Sequence, residues 1–205
     1  VRPAFPKLHA VTDERIARRP DVEQISAALA RGAPDLALHA RGHTLSGLEH
    51  YRLAVRLRPS PSASVRLFVN DRLDVALAVG ADGVHLAADS LGVADARRLG
   101  PSWLVGRSVH AVADARAARA AGADYLLAGP VFATPTHPDA IPLGLAGLEA
   151  IVAVGLPVIA IGGVTVERIP ALRAAGAWGA AAIRALWDAG DPAAAARAME
   201  DALQR

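Results

Sequence analysis

The chain has 205 residues, 53% of them hydrophobic, which suits one compact domain with a buried core and is too apolar for a disordered chain. Its 22 lysines and arginines nearly cancel 20 acidic residues, and the arginines are scattered through helical segments, so no basic stripe for nucleic acid is indicated. The absence of cysteine excludes disulfide frameworks and thiol catalysis. No apolar run reaches membrane-spanning length, and Val1-Arg-Pro-Ala-Phe-Pro6 lacks the apolar stretch of a signal peptide. The expectation is a cytoplasmic protein with neither nucleic-acid nor membrane partners; a homo-oligomer stays open.

Along the chain, eight short apolar runs alternate with Ala- and Arg-rich stretches of helical length. The runs cover residues 8–11, 36–39, 65–69, 83–86, 103–109, 125–128, 157–161 and 180–183. Helical stretches between them include 73–79, 112–121 and 166–175. Near-continuous apolar strands alternating with helices predict a parallel sheet covered on both faces. One joint recurs four times: Gly32-Ala-Pro-Asp35, Gly80-Ala-Asp-Gly83, Gly122-Ala-Asp-Tyr125 and Gly176-Ala-Trp-Gly179. Each follows a helical stretch and precedes an apolar run. The glycine is predicted to take the left-handed conformation that ends a helix. Eight strands with a repeated helix-to-strand joint predict a single-domain (β/α)8 TIM barrel over 1–205. An open doubly wound sheet would require a glycine-rich phosphate loop after the first strand, and Val11-Thr-Asp-Glu-Arg15 contains no glycine.

In such a barrel the chemistry sits just after each strand, at the carboxyl face. After strand two come His39, Arg41 and His43, a row suited to an anion; Asn70-Asp71-Arg72 ends strand three. Asn70 can read a substrate amide or ring nitrogen, and Asp71 either ligates Mg²⁺ or caps the next helix. His9 and His85 read as strand interior, and His50 as surface. Ser108 and His110 follow strand five. Strand six runs into Gly129-Pro-Val-Phe-Ala-Thr-Pro-Thr-His-Pro138, a loop stiffened by Pro130, Pro135 and Pro138 and carrying Thr134, Thr136 and His137. Gly162-Gly163 after strand seven and Ile183-Arg184 after strand eight occupy the places where this fold commonly binds phosphate. Glycine lets backbone N–H groups approach without a Cβ in the way. Imidazole has the right pKa for proton transfer, which makes His39, His110 and His137 the candidates for acid/base work.

Taken in order, Val69-Asn-Asp-Arg72, Gly80-Ala-Asp-Gly-Val-His-Leu86, Gly106-Arg-Ser-Val-His110, Gly129-Pro-Val-Phe-Ala-Thr-Pro-Thr136, Pro142-Leu-Gly-Leu145 and Ala160-Ile-Gly-Gly163 resemble the thiamine phosphate synthase/TenI superfamily. The resemblance spans residues 8–187. It implies a TIM barrel, a role in thiamine biosynthesis and a small phosphorylated heterocycle as substrate. The superfamily's synthases join a pyrimidine pyrophosphate to a thiazole phosphate with Mg²⁺. Its TenI branch includes a metal-free thiazole tautomerase that moves a proton in a thiazole phosphate carboxylate.

Several synthase positions differ here. The usual Gln-x-Arg-Glu-Lys becomes His39-Ala-Arg41-Gly42-His43. Gly-Gln-x-Asp becomes Ala87-Ala-Asp89-Ser90, where Asp89, one residue early, is the best available partner for Asp71 in a Mg²⁺ site but is expected to start on the other face. Thr-Pro-Thr-Lys becomes Thr134-Pro-Thr136-His137, and Val-Ser becomes Ile183-Arg184. The loss of lysines and of a metal ligand weakens a diphosphate clamp. The first reading is therefore an isomerase of the TenI type. On it, His137 carries the proton, with His110 and His39 in reserve. Arg41 pairs the substrate carboxylate, and His43, Asn70, Ser108, Thr134 and Thr136 bind substrate. Gly162, Gly163, Ile183 and Arg184 hold the phosphate, with no metal or cofactor. In the histidine-bearing tautomerases a histidine stands where this chain has Pro130. The alternative is a synthase with Mg²⁺ on Asp71, and a third reading is a non-catalytic thiazole- or thiamine-phosphate-binding barrel.

Overall fold

The computed structural model describes residues 5–58, 64–135 and 139–205. Its strands are β1 (Leu8–Val11), β2 (Leu36–Ala40), β3 (Arg66–Asn70), β4 (Gly83–Leu86), β5 (Leu104–Val109), β6 (Tyr125–Ala128), β7 (Val158–Ile161) and β8 (Gly179–Ala182). They are parallel, pair in chain order and close through β8 onto β1, giving a (β/α)8 barrel. The sequence boundaries for 8–11, 83–86 and 125–128 are reproduced, and the others shift by one residue at one or both ends. Apolar composition marks a strand's centre better than its last hydrogen bond.

Between β1 and β4 run α1 (Glu14–Ala17), α2 (Val22–Gly32), α3 (Gly47–Leu57) and α4 (Leu73–Val79). The second half carries α5 (Val93–Leu99), α6 (Val112–Ala120), α7 (Gly144–Val152), α8 (Ile169–Ala174), α9 (Arg184–Trp187) and α10 (Pro192–Gln204). A 3-10 turn over Val166–Arg168 leads into α8. Local chemistry sets several of these starts. Asp13 accepts the Ile16 N–H at the start of α1, Ser46 and Glu49 form a reciprocal capping box on α3, and Asp191 accepts the Ala194 N–H ahead of Pro192.

Strand periodicity divides the core in two. One set of side chains packs outward against the helices, among them Leu8, Leu38, Val69, Val84, Val105 and Leu126. The other fills the barrel: Val11, Ala37, Phe68, Tyr125, Leu127, Ile159 and Ala181. Large and small residues alternate around this interior, as a closed barrel requires. Gly83 leaves room for Phe68, whose Cε1 a β-carbon there would meet at 2.5 Å. Gly106 leaves room for Tyr125, whose Cζ it would meet at 2.0 Å.

Of the four joint glycines, Gly80, Gly122 and Gly176 have positive φ, as predicted. Gly32 does not. It is the last residue of α2, and a β-carbon there would sit 2.1 Å from the Ala193 carbonyl oxygen. It is a contact glycine that lets α10 approach α2. His50 also departs from expectation. It is buried, and its Nε2–H donates to the Ala40 carbonyl at 2.8 Å, tying α3 to the end of β2. His9 and His85 are interior, as expected.

Candidate active site

A cavity of about 630 Å³ opens at the carboxyl ends of the strands. Its apolar floor includes Val11, Leu127, Ile161 and Ala181, and its walls carry Arg41, His43, Asn70, Asp71, Asp89, Ser108, His110, Thr134, Gly162, Gly163, Ile183 and Arg184. Most of the residues singled out from the sequence are thus gathered in one place. Thr136 and His137 lie outside the described residues.

The wall after β2 is held from below. The Arg41 N–H donates to the Thr12 hydroxyl at 2.8 Å, and Glu14 accepts the N–H groups of His43 and Thr44. A guanidinium N–H of Arg41 donates to His43 Nε2. Burial, partly offset by Glu14, Asp71 and Asp13, lowers the Arg41 pKa from its usual value; arginine stays charged regardless.

After β3, Asp71 takes φ +61, a left-handed conformation that aspartate tolerates better than most residues. Its N–H donates to the His85 carbonyl at 2.9 Å, and its Oδ1 accepts the Ala87 N–H at 2.8 Å. Asp71 therefore braces the loop after β4. It does not cap α4, whose N-cap, Arg72, makes no side-chain cap hydrogen bond. Asp89 also departs from expectation. The argument that placed it on the other face extended the strand past Leu86. Instead β4 ends there, and a turn closed by the Ser90 N–H on the Ala87 carbonyl (3.0 Å) follows. That turn puts Asp89 on the cavity wall with Asp71, while Ser90 is not part of it.

His39 requires a correction. It is fully buried and does not line the cavity. Its ring stacks on Phe68 (centroids 4.9 Å, interplanar 8°), its Nε2 lies 2.8 Å from His9 Nδ1, and its Nδ1 lies 3.2 Å from the Asn70 side-chain amide. It cannot reach a substrate to move a proton. His85 takes a role that the sequence reading did not give it. It is 1% exposed yet reaches the cavity wall, with Nε2 2.8 Å from Ser108 Oγ and Nδ1 3.3 Å from the Tyr125 hydroxyl. Burial, with the nearby positive groups, pushes its pKa well down, so it is a neutral hydrogen-bonding group. His110 lies on the wall after β5, where its Nδ1–H donates to the Gly129 carbonyl at 2.6 Å. Nε2 is the ring nitrogen not engaged in that bond.

On the far wall, Gly162 (φ +95) and Gly163 (φ +63) need glycine on two counts. A β-carbon at Gly162 would meet Pro130 Cα at 2.6 Å, and one at Gly163 would meet the Ala133 carbonyl oxygen at 2.7 Å. Ile183 precedes the first turn of α9, which begins with Arg184. The sequence reading stopped at Gly163 and missed Arg168. That guanidinium lines the cavity, donates to the Gly163 carbonyl at 2.5 Å and lies 4.6 Å from the Phe132 ring centroid. Continuing the same barrel rule five residues further would have found it.

No group of three or more His, Cys, Asp or Glu side chains among the described residues could hold a metal unaided. Asp71 and Asp89 supply two hard oxygen donors on one wall, a set that suits Mg²⁺ completed by phosphate oxygens and water. No helix among the described residues is long and apolar enough to cross a membrane.

Comparison with known proteins agrees with the motif order. The family profile described as thiamine monophosphate synthase (TMP-TENI) matches residues 8–186. The chain is 46% identical over 198 residues to the thiamine-phosphate synthase of Methanoculleus marisnigri, covering 95% of this chain and 93% of that one. It is 44% identical over 197 residues to the thiamine-phosphate synthase of Chloroflexus aurantiacus, covering 94% and 90%. Among solved structures, thiamine phosphate pyrophosphorylase from Pyrococcus furiosus superposes with a TM-score of 0.77 at 33% identity, covering 97% of this chain and 95% of that one. None of these relatives carries the tautomerase name that the sequence reading put first. The chain belongs to the thiamine monophosphate synthase (TMP-TENI) family.

Proposed function

We propose that the protein is a thiamine phosphate synthase, coupling a pyrimidine pyrophosphate to a thiazole phosphate with Mg²⁺. What supports this reading is two carboxylates beside Arg41 on one wall of the cavity, with the glycine pair and arginines on the other. Arg41, His43, Asp71 and Asp89 follow β2, β3 and β4, whereas Gly162, Gly163, Arg168, Ile183 and Arg184 follow β7 and β8. In a closed eight-strand barrel, β3 lies opposite β7 and β4 opposite β8. A thiazole phosphate carboxylate also carries two anionic groups, so the feature that separates the readings is the Asp71 and Asp89 carboxylate pair, which suits Mg²⁺ and which a metal-free tautomerase does not need.

The charge deficit that favoured the tautomerase also shrinks. Asp89 supplies the second carboxylate, and Arg168 and Arg184 add guanidinium charge to the cavity wall. When bound, Mg²⁺ would neutralise the departing diphosphate, held by Asp71 and Asp89. The chain's own residues do the rest. Arg41 pairs with diphosphate oxygens, while the Gly162 and Gly163 backbone and Arg184 hold the thiazole phosphate. Asn70 and Ser108 orient the pyrimidine, with Thr134 beside it. The apolar floor keeps water from the bond being made. The names and identities of the relatives support the same reading.

One observation favours the tautomerase as a second reading: the His110 imidazole on the cavity wall, with Nε2 not engaged by the Gly129 carbonyl. Substituting Asp89 separates the two. Under the synthase reading, Asp89→Asn lowers Mg²⁺-dependent kcat/KM by on the order of 100-fold and raises the Mg²⁺ concentration needed for half-maximal rate. Coupling that is indifferent to Asp89→Asn and to Mg²⁺ chelation would refute the assigned metal wall.

A further inference from the structure

A buried hydrogen-bond chain runs from the amino-terminal segment to the cavity. The Pro6 carbonyl oxygen lies 3.1 Å from His9 Nε2, His9 Nδ1 lies 2.8 Å from His39 Nε2, and His39 Nδ1 lies 3.2 Å from Asn70 Oδ1. His9 and His39 are 0% exposed. Asn70 is 4% exposed and ends on the cavity wall.

The proton positions along this chain follow from donor counting. The Pro6 carbonyl can only accept, so His9 Nε2 carries a proton. A neutral His9 then accepts at Nδ1, so His39 Nε2 carries a proton. A neutral His39 then accepts at Nδ1, and its partner must donate. Asn70 can donate only through its NH2 group. With Oδ1 toward His39, as it is placed here, some link sets acceptor against acceptor, at Asn70 or at Pro6, unless one ring is charged. A half-turn of the amide removes the conflict, whereas the Pro6 carbonyl has no such freedom. Neutral rings are favoured here. Burial first, then the adjacent imidazole, holds His9 well below its ordinary range; burial, opposed by the Asn70 hydrogen bond and aided by Arg41, holds His39 at about 4.

We propose that His9 and His39 are positioning residues whose paired tautomers lock the Asn70 amide, with its NH2 toward the core and its Oδ1 toward the cavity, so that this wall selects a ligand bearing an N–H donor. The lock itself needs no substrate. Only the identity of the donor, the ring amine of the pyrimidine, rests on the synthase reading. The residues identified in the sequence as catalytic (His39) and interior (His9) thereby acquire one joint task, exercised through Asn70.

Long-range ¹H–¹⁵N correlation spectra of the ¹⁵N-histidine-labelled full chain at neutral pH test the lock. Both His9 and His39 are expected to be neutral with the proton on Nε2. A His39 proton on Nδ1, or an imidazolium at either site, overturns the proposal. Asn70→Asp gives an independent readout, because a carboxylate can only accept. His39 is then expected to gain a proton on Nδ1, visible as a changed tautomer or charge. If Oδ1 already faced His39 in the unsubstituted chain, the replacement would leave that ring's state unchanged, and the proposal fails. If Asn70→Asp does not fold, the spectrum of the unsubstituted chain decides alone.

Ligand binding separates the lock from the function. The aminopyrimidine pyrophosphate is expected to bind at least ~10-fold more tightly than its oxo counterpart, because the oxo group sets acceptor against acceptor. Equal binding alongside the expected tautomers would strike the synthase reading of the ligand and leave the lock standing.

Discussion

His9, His39 and His85 form the buried titratable cluster of the barrel, and their protonation is where pH acts on this fold. Burial is the largest cause for each ring. The neighbouring imidazoles add to it for His9 and His85, and arginines add to it for all three: Arg66 for His9, Arg41 for His39, and Arg41 and Arg107 for His85. The folded pKa of each lies below the ordinary 6.5, with His39 at about 4. As pH falls below 6.5, the unfolded chain takes up protons that the folded chain refuses. Stability is therefore full above that value and is lost progressively as pH falls toward about 4. Denaturant unfolding at pH 7.0 and 5.5 should show a lower midpoint at 5.5, a window above the range where most carboxylates titrate. Equal midpoints would mean that the three rings charge as readily folded as unfolded. The sequence made these rings visible as strand residues. It could not show that His39 turns inward to Asn70 while His85 reaches the cavity, because both follow the same period-two pattern and only the depth of each along its strand differs.

Among the secondary-structure elements, the glycine joints show what a repeated motif reveals and what it hides. Three copies act through positive φ, which sequence position after a helix predicts. The fourth, Gly32, acts through contact with α10, a segment 160 residues further along, and local sequence carries no trace of that distance. Gly32→Ala should cost about 2 kcal/mol or more, lowering Tm by roughly 4–8 °C for a domain of this size, because the obstructing atom is backbone. Gly122→Ala meets nothing within 4 Å and pays only for its φ of +86°, about 1 kcal/mol. Thermal unfolding of the two variants should rank Gly32→Ala as the more damaging; the reverse order would deny the close approach of α2 and α10. The same contrast explains the loops. Strand ends were legible to within a residue, but extending period two past Leu86 misplaced Asp89, because a turn resets the direction of every side chain after it.

At the level of the whole molecule, the barrel was legible because eight apolar runs and their joints repeat. The carboxyl-face rule then gathered Arg41, His43, Asn70, Ser108, His110, Thr134, Gly162, Gly163, Ile183 and Arg184 around one cavity, as found. What the rule did not supply was the direction of the Asp89 side chain, which a turn sets, and Arg168, which lies five residues beyond where the reading stopped. With both on the cavity wall, the proposed reading moves from a metal-free site to one that suits Mg²⁺. The most direct measurement assays one preparation for both reactions, with the products quantified. Given pyrimidine pyrophosphate, thiazole phosphate and Mg²⁺, it should form thiamine phosphate and diphosphate in equal amounts, stop on addition of chelator, and isomerise the thiazole phosphate carboxylate far more slowly. Rapid isomerisation with no coupling of the two halves would contradict the synthase reading.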